Sequence, residues 1–166
     1  MTELQPPDSH HLAAVKGWLE LQAFDEAARE LESISRALRD HPEVLAVRWA
    51  LAANALNWTE ALAISVSLTQ LMPEQPEGWI YQGSALTELN RHAEAYAVLV
   101  QGNKRFPEDE IFPYDLACVC CALVRDGEAL DWIHRAIEMA GDEIRSRALE
   151  DSDLERIHNR LLNEDD

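Results

Sequence analysis

Little in this sequence is positively charged: 14 Lys and Arg stand against 31 Asp and Glu, a formal net charge of −17. A surface of that sign repels phosphate backbones and anionic lipid, so neither nucleic acid nor a membrane surface is expected as a partner. No apolar run approaches the ~18 residues that a membrane-spanning helix needs. The opening MTELQPPDSHHLAAVKGW lacks a basic stretch followed by an apolar one, so no secretory signal is expected. Cysteine is scarce as well, with three residues at 118, 120 and 121 in the tetrad CVCC. An odd number so closely spaced cannot make a disulfide framework, and a reduced, cytoplasmic protein is expected. Gly (6) and Pro (7) are too few for long linkers. The length of 166 residues and a hydrophobic share of 47% predict one soluble domain, 1–166, with a sizeable core.

The usual signs of chemistry are missing too. There is no phosphate-cradling Gly-rich loop, no zinc-protease motif and no Ser/His/Asp pattern. Cys118 and Cys121 stand one helical turn apart and could offer two thiolates. No second Cys pair or paired His completes four ligands, and small apolar cysteines suit close helix packing. His10 and His11 lie at a helix start with no partner evident in the sequence, which reads as a solvated first turn. No catalytic residue, metal ligand or cofactor is expected, and the chain is not read as an enzyme.

What the sequence does contain is a repeat. Glu-Ala occurs at 26–27, 60–61, 94–95 and 128–129, each step being 34 residues, and nowhere else. A glutamate that recurs with the period belongs to the repeat rather than to a catalytic site. Units of about 8–41, 42–75, 76–109 and 110–141 bring other columns into line. Position 24 holds Leu31, Ser65, Leu99 and Ile133, and position 14 holds Leu21, Ala55, Leu89 and Leu123. Apolar residues at helical spacing, broken by Asn90-Arg91 in the third unit, predict a helical hairpin in each. The expected helices run over 8–21, 24–39, 42–54, 58–71, 76–89, 92–105, 112–124 and 126–140. Small residues, Gly83 and the alanine of position 20, belong where antiparallel helices approach closely. Helices this short are marginal alone and must stack on their neighbours. After the repeats, Ser152 and Glu155 form a capping box opening a short helix with Leu154, Ile157, Leu161 and Leu162 on one side, so 142–166 reads as the terminal cap.

Trp79, Gly83, Ala95, Gly102 and Pro107 occupy positions 4, 8, 20, 27 and 32 of the third unit, and this resembles the tetratricopeptide repeat. The other units depart from the pattern. Trp49 sits at position 8, where a small residue is usual, Arg39 replaces the closing proline of unit one, and Pro113 at position 4 delays the helix start to about Phe112. HPEVLAVRWAL, GWIYQGSALTEL, PYDLACVCC and ALEDSDL are further similar to a group of small bacterial tetratricopeptide proteins with an Asp-rich closing segment, from which no activity carries over. The resemblance implies an all-α fold, a right-handed α-solenoid of four tetratricopeptide-type hairpins with a C-terminal capping helical segment. It also implies a protein–protein interaction module or scaffold. In the family, first helices line the concave face, which points here to Leu12, Lys16 and Glu20; Ala46, Ala50 and Asn54; Ile80, Ser84 and Glu88; and Tyr114, Cys118 and Cys121. Of these, Lys16, Glu20, Asn54, Ser84, Glu88, Tyr114 and Cys118, with Tyr81 beside them, are the expected contacts to a partner polypeptide. The surplus carboxylates favour a basic one. Only Lys16 and Asn54 approach the family's clamp for C-terminal carboxylates, so that specificity is not carried over. The alternative is a self-associating subunit of a larger assembly, and a metal or redox role for CVCC stands third.

Overall fold

A computed structural model describes residues 4–162, and among them there is helix and no strand. The α-helices are α1 (Asp8–Glu20), α2 (Phe24–Leu31), α3 (Pro42–Asn54), α4 (Trp58–Leu71), α5 (Glu77–Glu88), α6 (His92–Arg105), α7 (Ile111–Ala122), α8 (Asp126–Ala140), α9 (Asp142–Glu150) and α10 (His158–Leu162). Short 3₁₀ segments cover Arg36–Leu38 and Ser152–Ile157. The first eight helices pair in order as hairpins, as the repeat demands.

One turn closes every hairpin. Gln22, Leu56, Asn90 and Val124, again 34 residues apart, hold left-handed φ values of 56, 54, 58 and 60°. The following amide reaches back over the helix end, from Ala23 to Trp18, Asn57 to Ala52, Arg91 to Leu86 and Arg125 to Cys120, each at 2.8 Å. This closure satisfies carbonyls that the helix end leaves without partners. No glycine stands at any of the four positions. Asn90 tolerates the conformation, whereas Leu56 and β-branched Val124 adopt it against their preference.

Just beyond each turn comes the Glu-Ala pair. Ala27, Ala61, Ala95 and Ala129 are all 0% exposed. Three of the glutamates serve their own hairpins, Glu26 pairing with Arg29 at 2.8 Å, Glu60 accepting from Asn57 at 2.9 Å and Glu94 binding Arg91 through both oxygens, while Glu128 accepts from the Tyr96 hydroxyl of the preceding hairpin.

The chain divides into two compact units, Met1–Tyr81 and Gln82–Asp166, and the division falls within α5. In unit 1, α1 packs on α2 and α3, and α3 on α2 and α4. Leu12, Val15, Ala27, Ile34, Val44 and Val47 form its core. The second helix of the first hairpin, expected to run to 39, ends at Leu31. The cause is competition for hydrogen bonds from a residue distant in sequence. Asp8 accepts both the backbone N–H and the hydroxyl of Ser35, at 2.6 and 3.0 Å, and holds that residue extended. Ser and Asp side chains offer the backbone this alternative to a helix. Ile34, carried along, turns into the core at 2% exposure. His11, read as solvated, instead meets Glu30 at 2.6 Å and ties α1 to α2.

In unit 2, α7 packs on α6 and α8 and is the most enclosed helix, with Phe112, Pro113, Leu116, Ala117, Val119, Cys120 and Cys121 all buried. Pro113 lies in its first turn, where a missing N–H costs nothing. Two glycines let helices approach. A Cβ on Gly83 would stand 2.5 Å from Leu99 Cδ2, and one on Gly102 would stand 2.2 Å from Cε1 of the buried Phe112.

The cap takes a different form from the expected one. The hydrophobic pattern does not announce α9, which lies against α8, while Ser152–Ile157 packs on both α7 and α8. Ser152 and Glu155 do not make a capping box. Asp151 is the capping residue, accepting from the Asp153 amide at 3.0 Å. Leu154, Ile157 and Leu161 are buried in one cluster with Ala136, with Trp132 at its edge, as expected, but Leu162 is 57% exposed. Arg156 clamps Asp126 at the start of α8 through two bonds of 2.8 and 3.0 Å. Residues 163–166, the end of the expected cap, lie outside the described residues.

Candidate partner-binding surface

In unit 1, Lys16 is exposed and donates to Glu43 at 2.6 Å, linking α1 to α3. This bond, more than any other influence, holds the Glu43 carboxyl below its usual range. Glu20, at the end of α1, is exposed. Tyr81 is half-buried and stacks on Trp49, with ring centroids 4.1 Å apart and planes 9° from parallel. Burial, aided by the charge of Glu77, pushes the phenol up, so its hydroxyl remains a donor across the physiological range. Leu12 is 4% exposed and belongs to the core, not to a lining. Asn54 is exposed and lines a groove with Arg48.

The Tyr81 stack also accounts for the irregularity of unit two. Trp49 occupies the position that Gly83 holds in unit three, and the position 24 residue facing it in the repeat is Ser65 where unit three has Leu99. Large and small are exchanged between the two columns. Ser65 is 0% exposed, its hydroxyl satisfied by the carbonyl of Leu62 at 2.8 Å.

In unit 2 the expected residues divide. Ser84 is half-buried and Glu88 exposed on α5. Tyr114 is not available to a partner. It is 2% exposed, its hydroxyl donates to Asp151 at 2.7 Å, and the Arg147 guanidinium lies 4.2 Å from its ring centroid. The C-terminal segment supplies both contacts, which a reading of the first helices alone could not anticipate. Cys118 is half-buried, and burial followed by the charge of Asp151 pushes its thiol far up.

Cys120 and Cys121 are buried in the unit 2 core, and desolvation pushes their thiols up to about 12 and about 11. Protonated thiols are poor nucleophiles and poor ligands, and CVCC packs as small apolar side chains. Among the described residues no cluster of three or more His, Cys, Asp or Glu is placed to hold a metal ion. Asp115, one residue on from Tyr114, is pushed up to about 7. Desolvation is the main cause, opposed by Arg147 and reinforced by Asp109 and Asp151.

Known structures resemble this arrangement, although no protein-family model matches the chain and no curated protein matches its sequence. MamA RS-1, in an ArsTM double mutant, aligns with a TM-score of 0.72 over 96% of this chain and 91% of its own, at 16% identity. MamA MSR-1 aligns at 0.68 over 80% and 76%, with 19% identity. A further crystal structure of MamA gives 0.68 over 91% and 94%, with 13% identity. The chain has the tetratricopeptide solenoid fold. Identities this low establish the fold alone, so the surface must be argued from its own residues.

Three contributors escaped the sequence reading. Trp49 had a signal, since its position in the repeat was wrong for its size. Arg147 and Asp151 had none, because they lie beyond the period and meet Tyr114 across more than thirty positions. No helix among the described residues is long and apolar enough to cross a membrane.

Proposed function

We propose that this protein is a binding module, not an enzyme, and that its first-helix face holds an extended or helical segment of another protein in the cytoplasm, the chain acting as one domain. The observation that carries the reading is the half-buried Trp49–Tyr81 stack in unit 1, together with the exposed Lys16–Glu43 pair and Glu20. A flat aromatic surface with a polar tip, fixed by stacking, loses little conformational freedom on binding and is typical of the residues that anchor interfaces. A spacing of four residues puts Ser84 and Glu88 of unit 2 on one side of α5. Tyr114 and Cys118 drop out of the proposed contact set, because Arg147 and Asp151 already engage that part of α7.

Exposed Glu20 and Glu88, within a net charge of −17, favour a partner segment rich in Lys or Arg. Such contacts are screened over about 8 Å at physiological ionic strength, so binding weakens as salt rises. The test is affinity capture from the native cell extract at low and high salt, with wild type and Tyr81→Ala. Loss of one basic protein from the variant and from the high-salt wash supports the reading. A partner retained equally by both proteins places the binding surface elsewhere, and an acidic partner removes the electrostatic half of the proposal.

A further inference from the structure

The early end of α2 has a consequence on the other side of α3. The second helices of the later hairpins have 14, 14 and 15 residues, whereas α2 has 8. Beside the missing turns lies a groove of about 450 Å³ between α2, α3 and the start of α4. Val44, Ile34 and Ala52, at 0, 2 and 6% exposure, make its floor, and half-buried Phe24, Leu31 and Leu51 its walls. A small-molecule site falls within this size range, and here an apolar floor and walls meet a rim of charged and amide side chains, Asp25, Glu32, Arg39, Arg48, Asn57 and Glu60 among them.

The polar group that matters is Arg48. Its side chain is 30% exposed, and its contacts are long: 3.4 Å to the carbonyl of Arg39 and 3.6 Å to Glu60. Glu60 is held more closely by Asn57, at 2.9 Å, and Arg39 is engaged by Glu32 at 3.2 Å. The Arg48 guanidinium is therefore a weakly committed planar donor above an apolar floor. Such a fork matches a carboxylate better than any other common anion of single charge. The rim carboxylates Asp25, Glu32 and Glu60 repel any anion, a dianion such as phosphate about twice as strongly as a single carboxylate, so the apolar tail must supply much of the affinity.

We propose that this groove binds a small amphiphile with a carboxylate head on Arg48 and an apolar tail along Leu31, Leu51 and Phe24. Lys16, Glu20 and Tyr81 do not line the groove, and of the partner contacts expected from the sequence only Asn54 does, so either idea can fail without the other.

The probe is octanoate, titrated into the full chain and followed by methyl NMR. Saturable shifts should concentrate on Leu31, Ile34, Val44 and Leu51, with a Kd on the order of 1 mM, as expected for a ligand of about ten heavy atoms. In wild-type protein 1-octanol, which keeps the tail and lacks the charge, should bind about 10-fold more weakly, because charge-assisted hydrogen bonds contribute roughly a factor of ten or more. Arg48→Met should weaken octanoate by a similar factor while leaving the methyl spectrum folded. Absence of saturable shifts, shifts centred outside the groove, or equal affinity for octanoate and octanol would overturn the proposal. The octanol comparison needs no variant, so it decides the matter even if Arg48→Met fails to fold.

Discussion

Compare α1 in unit 1 with its repeat equivalent α7 in unit 2. Both follow the same 34-residue plan, end in the same left-handed turn and precede the same buried alanine. Lys16, Trp18 and Glu20 of α1 are exposed. In α7, Tyr114 at the position of Leu12 is sealed by Arg147 and Asp151, and Cys118 at the position of Lys16 is half-covered. The difference comes from the neighbouring chain, not from the repeat. The first hairpin's second helix stops early and leaves a groove, while the fourth is followed by twenty-odd residues that fold back onto it. In a repeat protein the end units therefore show most clearly how flanking segments decide which columns stay available for binding.

The sharpest way to break this comparison is to remove the cap. A chain ending at Glu150 loses Leu154, Ile157 and Leu161, each 0–1% exposed. At about 1.5–3 kcal/mol per buried side chain the loss reaches roughly 5–9 kcal/mol, comparable to the whole stability of a domain. Unit 2 should lose its cooperative unfolding transition and aggregate, as seen by circular dichroism melts and light scattering. A monomeric truncation with an unchanged Tm would mean that the segment is a passive tail.

A smaller effect concerns the proton on Asp115. Its folded carboxyl titrates at about 7 against 3.8 in the absence of burial, so between those values the folded state holds the extra proton. Stability should therefore fall as pH rises through that window and level off above it, by an amount on the order of 2–4 kcal/mol. Asp115→Asn should flatten this part of the profile and make the variant the more stable protein at pH 8. Urea unfolding from pH 4 to 8 measures both curves, and parallel profiles would show that Asp115 is already ionised and well paired.

The smallest effect separates crowded glycines from open ones. Gly102→Ala drives a Cβ into Phe112 and should cost about 1–3 kcal/mol through overpacking. Gly17→Ala in α1 meets nothing within 4 Å and should stabilise by about 0.5–1 kcal/mol, because alanine loses less backbone freedom in a helix. Denaturant midpoints decide it. Shifts of the same sign in both variants would contradict the contrast drawn between the two units.

Much of the fold was legible in the residues themselves. The bounds expected for α4, α6 and α8 agree with those found, because apolar spacing, the 34-residue period and the Asn90-Arg91 break are local signals. The misreading of α2 arose from one long-range competitor, Asp8, which takes Ser35 from the helix. The misreading of the cap arose from a choice between neighbouring capping residues, where Asp151 has a tertiary partner in Tyr114 and Ser152 does not.

By itself the sequence determined the period, the hairpins and the alanine of position 20 at their close approach, since helical spacing and side-chain size act over a few positions. Tertiary structure decided the rest. Trp49 is a misfit in its column until Tyr81 is seen stacked on it. Tyr114 is a candidate contact until Asp151 takes its hydroxyl. Arg48 is one surface cation among few until the floor beneath it and its long contacts are seen. Each depends on which distant segment covers which face, and a periodic pattern records which residues face inward without recording what lies over them.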